Sequence, residues 1–102
     1  MIFDWDDNKS AENITNHNGI TFKDAALAFF DEWAVDEFDD AHSTAEDSRF
    51  TLIGLSGTRL LRVTYTVWQD ETNQEVIRII SARDAKGYEK REYERARNEL
   101  DF

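Results

Sequence analysis

Val76-Ile77-Arg78-Ile79-Ile80-Ser81-Ala82-Arg83 reads as a β-strand of aliphatic, largely β-branched residues. A strand this apolar belongs inside a sheet, covered on both faces. Yet it carries one guanidinium within it and a second at its end. Arginine keeps its charge in a protein, so each needs an anionic partner or an open groove. Upstream, Arg49–Leu55 and Arg59–Val67 read as two more strands, joined by Ser56-Gly57 and followed by the polar loop Gln69–Gln74. Three strands with short connections predict an antiparallel meander. Downstream, about Asp84–Asn98 reads as a charged helix anchored by Tyr88 and Tyr93.

The first half supplies helices. Met1–Trp5 reads as a short strand, and Asp6 or Asp7 as the N-cap of a helix running to about His17. Asn18-Gly19 ends that helix, with glycine suited to a left-handed cap. Thr21 to Asp24 resembles a capping box. Phe22, Ala25, Ala26, Phe29 and Phe30 then recur at helical spacing, a stripe expected in the core. Asp31–Asp47 is acidic and irregular, with a short strand near Trp33–Phe38. The expected fold is α+β: a small antiparallel sheet with helices packed on it, in the order β-α-α-β-β-β-α, and one domain over residues 1–102.

The 102 residues suffice for one modest core. There is no cysteine, hence no disulfide frame and no thiolate metal site, which fits a reducing, cytoplasmic setting. No apolar run is long enough to span a membrane. Net charge is −10, at first sight adverse to nucleic acid. The charge is unevenly spread, however. Residues 1–47 hold two lysines against 13 acids, net −11; residues 48–102 hold ten basic residues against nine acids, net +1. The acidic half suits a basic protein partner, and the arginine-bearing half suits phosphate.

No Gly-rich phosphate loop, nucleophile elbow or metal-ligand spacing occurs, so no metal and no cofactor are expected. Lys9, Asn13 and His17 form one polar stripe at four-residue spacing, which reads more simply as a helix surface than as a groove lining or an anchor to the sheet. His42 and Glu46 lie in a polar cluster leading into Arg49. Histidine as a residue type titrates near neutrality and can move protons. Glu46 is a candidate general base, with a salt bridge to Arg49 as the plainer reading.

Together these residues resemble the BrnT family. Phe3-Asp4-Trp5-Asp6, Lys9, Asn13, His17, Gly19-Ile20-Thr21-Phe22 and Ala25 match its opening. Asp31, Asp40, His42, Glu46-Asp47-Ser48-Arg49-Phe50, Ile53-Gly54 and Leu61 follow in order. Ile77-Arg78-Ile79-Ile80-Ser81-Ala82-Arg83, Ala85, Glu89 and Tyr93-Glu94 complete the match. Two features depart from it: a longer Gln69–Gln74 loop, and Trp68 near where many members carry arginine. The resemblance implies a small ribonuclease toxin of RelE-like fold that slows translation. It also implies neutralisation by a basic, DNA-binding, BrnA-like antitoxin in a toxin–antitoxin hetero-oligomer, with no membrane role.

For metal-free RNA cleavage the nucleophile is the RNA's own 2′-hydroxyl. Such a site needs a base, an acid and cations on the phosphate. Arg78 and Arg83 are the leading catalytic cations, and Glu46 and His17 the leading proton-transfer groups. Arg49, Arg62 and Lys9 are expected to bind RNA phosphate, and Trp68 and Tyr93 to stack on bases. The structural alternative is that Arg78 pairs with Glu89 or another carboxylate and only holds the last helix on the sheet, with the same reading open for Arg83. The functional alternative is a non-catalytic module that binds a basic DNA-binding partner.

Overall fold

The computed structural model describes residues 1–100, with side chains through Glu99. The chain runs β1 (Ile2–Asp4), α1 (Asp7–Asn16), α2 (Phe22–Ala28), β2 (Val35–Phe38), a 3-10 turn (Asp40–His42), β3 (Arg49–Ser56), β4 (Arg59–Gln69), β5 (Glu75–Asp84) and α3 (Gly87–Leu100). The five strands form one sheet in the order β1-β5-β4-β3-β2. The expected antiparallel meander is present over β3, β4 and β5. The short segment near Trp33–Phe38 adds β2 to it antiparallel, while β1 pairs parallel with β5. The sheet is therefore mixed, and β5 is an interior strand as its composition requires.

Local chemistry sets the helices. Asp6 caps α1 by accepting from the Asn8 and Lys9 amides. Asn18 and Gly19 follow α1 with φ of 57° and 78°, the left-handed exit that glycine and asparagine tolerate. Thr21 and Asp24 form the full capping box of α2. Phe22, Ala25 and Ala28 of α2 face the sheet, joining Ile20, Leu52, Leu61, Val63, Ile77, Ile79 and Ala82 in the main core. The approach is close at Gly54 of β3, where a Cβ would stand 2.6 Å from the Ala28 carbonyl oxygen. Phe30 departs from the expected stripe: α2 stops at Ala28, and the Phe30 ring is 65% exposed.

The spacing of Lys9, Asn13 and His17 turns out to hold an anchor rather than a plain helix surface. Asn13 is 4% exposed. Its amide donates to the carbonyls of Ile20 and Ala82, and its side-chain oxygen accepts from the Ala82 amide. One side chain thus stands in for a missing strand neighbour, because β1 pairs with β5 only at Val76–Arg78.

α3 covers one end of the opposite sheet face. Tyr93, Ala85 and Ile53 form its small core with Trp33, Val35, Leu55 and Leu60. Tyr93 donates its hydroxyl to Asp31 at 2.7 Å. Tyr88, expected as a second anchor, is mostly exposed. No helix among the described residues is long and apolar enough to cross a membrane.

Candidate active site

The site is built around a fault in β5. Thr64 pairs with Ser81 and Tyr65 with Ile79, which leaves Ile80 as an extra, bulged residue. In a regular strand residues five apart, such as Arg78 and Arg83, point to opposite faces. The bulge changes that parity. Ile77, Ile79 and Ala82 all reach the main core, while Arg78, Ser81 and Arg83 share the face away from α1 and α2.

Cross-strand register then arranges this face in rows. Asp4, Arg78, Thr66 and Arg49 form one row. Ser81, Thr64 and Thr51 form the next, and Arg83, Arg62 and Ile53 the third. A row of hydroxyls therefore lies between two rows of guanidiniums, with neighbouring Cα atoms about 5 Å apart. Trp68, paired with Val76, lies farther along the same face.

The four arginines are held differently. Arg83 makes two bonds to the Glu89 carboxylate, at 2.7 and 2.9 Å. Arg62 reaches the same carboxylate at 3.2 Å and also faces the Thr64 hydroxyl. Glu89 is 3% exposed and accepts from the Lys86 amide as well, closing the first turn of α3. Burial pushes its pKa up, but Arg83, the Lys86 amide and the Arg62 charge outweigh that and hold it below the ordinary value. Its carboxylate in turn raises the Arg83 pKa. Arg78 meets Asp4 at 3.3 Å and Arg49 meets Asp47 at 3.2 Å, both half-open pairs of small energetic worth. The expected structural pairing with Glu89 is thus real, and it belongs to Arg83 and Arg62 rather than to Arg78.

Two clefts flank the bulge. One, of about 230 Å³, is lined by Asp39, His42, Arg49, Arg62, Thr64, Ile80 and Ser81. The other, of about 200 Å³, is lined by Lys9, Glu12, Asn13, Asn16, His17, Ile80 and Ser81. Ile80 and Ser81 form the ridge between them. In the first cleft the Asp39 carboxylate lies 2.9 Å from His42 Nδ1 and also accepts from the His42 amide. The 3-10 turn that follows Asp39 brings the two side chains together.

The sequence-predicted residues thus separate into groups. Arg49, Arg62, Arg78, Arg83 and Trp68 share one face, and Lys9 and His17 lie across the ridge. Glu46 stands on the exposed loop before β3 and lines neither cleft. Tyr93 is 4% exposed in the core beneath α3, which removes it as a base-stacking surface. Asp39, Thr64 and Ser81 were not singled out from the sequence. The Asp39–His42 spacing was the available signal, since i,i+3 residues meet across one helical turn. Among the described residues no three His, Cys, Asp or Glu side chains cluster as metal ligands would.

Comparison with curated proteins finds no match. A family model does match, over residues 5–89, and its description is a ribonuclease toxin, BrnT, of type II toxin–antitoxin systems. The matched span runs from Trp5 through α1, the whole arginine-bearing face and the bulge, and ends at Glu89, the carboxylate that joins Arg62 to Arg83. With most of its length inside that match, the chain belongs to the BrnT family of ribonuclease toxins.

Proposed function

We propose that this chain cleaves RNA in the cytoplasm without a metal ion, slows translation by doing so, and is neutralised by a basic DNA-binding antitoxin. The observation that carries the reading is the convergence of His42, Arg49 and Arg62 on one cleft floored by Thr64 and Ser81. Guanidiniums there grip the scissile phosphate and stabilise the charge that builds on it in the transition state. Asp39 accepts from Nδ1 of His42, which leaves Nε2 to take the proton of the RNA 2′-hydroxyl. The 2′-oxygen attacks phosphorus, the bond to the 5′-oxygen breaks, and that oxygen leaves with a proton from His17 across the ridge. The products are a 2′,3′-cyclic phosphate and a free 5′-hydroxyl. Lys9 holds the neighbouring phosphate, and Trp68 offers its exposed face to a base. Arg83 acts mainly by holding Glu89, and through it α3 and Arg62, in place.

The test is cleavage of a single-stranded RNA in EDTA. His42→Ala and Arg62→Ala are each expected to slow it by roughly 100-fold, with far-UV circular dichroism unchanged. Arg62→Lys is expected to recover only part, because lysine cannot grip phosphate with two parallel bonds. Undiminished cleavage in both alanine variants refutes the site. No cleavage by the wild type, with no growth arrest on induction, favours the non-catalytic partner-binding module instead.

A further inference from the structure

On the sheet face opposite the arginines, beyond the end of α2, lies an open groove of about 420 Å³. α2 has only seven residues and leaves that end of the sheet uncovered. Phe29, Phe50 and Tyr65 line it, and Phe38 extends the row of rings beyond its edge. Phe38 meets Phe50 at 5.6 Å, Phe50 stacks on Tyr65 at 5.6 Å, and Tyr65 meets Phe29 at 4.9 Å. Phe38 is 51% and Val67 38% exposed, unlike the apolar residues under α1 and α2. The rim is acidic: Asp31, Asp36 and Glu75 line the groove, and no lysine, arginine or histidine does. Asp36 and Glu75 form no ion pair with any described residue. An apolar floor between Asp36 and Glu75, two carboxylates outside any ion pair among the described residues, is complementary to an amphipathic segment whose apolar face is bordered by lysine or arginine.

We propose that this groove is the docking site for such a segment of the antitoxin. The proposal rests on the toxin reading for the existence of that partner and goes beyond it in placing the contact. It makes the partner surface and the RNA surface opposite faces of one sheet. Loss of one therefore need not mean loss of the other.

The experiment measures two things on the same variants: binding to a purified BrnA-like antitoxin, by titration calorimetry, and RNA cleavage by the free chain. Val67→Glu places a charge on the groove floor, and the Asp36→Lys, Glu75→Lys double variant reverses the rim without touching the core. Each is expected to weaken antitoxin binding by roughly 30-fold or more, while cleavage stays at the wild-type rate. Arg62→Ala is expected to do the reverse. Wild-type binding by both groove variants overturns the docking site and leaves the ribonuclease reading intact. Absence of cleavage in the wild type, with binding still lost in the groove variants, overturns only the ribonuclease reading. Sedimentation of the free chain completes the test: a dimer that Val67→Glu dissociates would assign the groove to a second copy and overturn the proposal.

Discussion

Replacing Glu89 with glutamine separates bracing from catalysis. The substitution keeps the shape and leaves one side-chain oxygen to accept from Lys86 or Arg83, but it removes the carboxylate that, among the described residues, bonds to both Arg62 and Arg83. Those arginines pair directly across β4 and β5. Once uncompensated, two guanidiniums about 6 Å apart repel by about 3 kcal/mol at an effective dielectric near 20. The lost attractions are of similar size. Partial exposure of both arginines and the surviving hydrogen bonds offset much of this. A net loss of about 2–3 kcal/mol follows, or roughly 10–15 °C in Tm for a domain of this size. The pH dependence has a definite sign. Glu89 is held below its ordinary pKa of 4.5, so its contribution is fully present above that value and fades as pH falls through the lower folded-state pKa. Urea unfolding followed by circular dichroism at pH 7 and again below pH 4 measures both. A difference at pH 7 under about 0.5 kcal/mol, or one that persists unchanged in acid, refutes the assignment of Glu89 as a charged clamp.

Three other perturbations test separate parts of the argument. Asn13→Ala is expected to cost about 2–4 kcal/mol in urea unfolding, since it leaves the Ala82 amide and two carbonyls unpaired in the core. Tyr93 is pushed up to about 12 by burial and by its bond to Asp31, so its neutral form favours the fold. That stability is complete below pH 10 and is lost as pH rises towards 12; Tyr93→Phe should flatten this alkaline limb in a pH titration of Tm and cost about 1 kcal/mol at neutral pH. Deleting Ile80 rejoins Ile79 to Ser81 without changing the facing of residues on either side, so the protein should fold, with a loss of no more than about 2 kcal/mol, while RNA cleavage falls because the ridge between the two clefts is gone.

Most of the fold was legible because local signals agreed with the global answer. The Asp6 cap, the Asn18-Gly19 exit and the Thr21–Asp24 box each act within four residues. The β3–β5 meander followed from short connections between apolar runs. What was not legible depends on distance or parity. Nothing local in Val76–Arg83 announces an extra residue, although Ile79-Ile80 side by side and Ala82 out of phase with Ile79 are its trace. Without the bulge, Arg78 and Arg83 could not be placed on one face. Which arginine Glu89 would hold was equally hidden, because the choice depends on where α3 crosses the sheet. Tyr93 and Glu46 show the same limit from the other side: residue type suggested chemistry, and burial or loop position decided otherwise.

A chain of net charge −10 meeting RNA is less contradictory than the number implies, because a phosphate responds to charge within about a Debye length, some 8–10 Å at ordinary salt. The molecule extends 41 × 31 × 26 Å, so its two sheet faces are far enough apart to present different potentials. On one face four guanidiniums share three bonded carboxylates, and two of those, Asp4 and Asp47, sit in half-open pairs. On the other, Asp36 and Glu75 border the apolar groove and form no ion pair with any described residue. The bulge at Ile80 is what allows this division within a single strand: it keeps Ile77, Ile79 and Ala82 in the core while turning every cation of β5 to the same side.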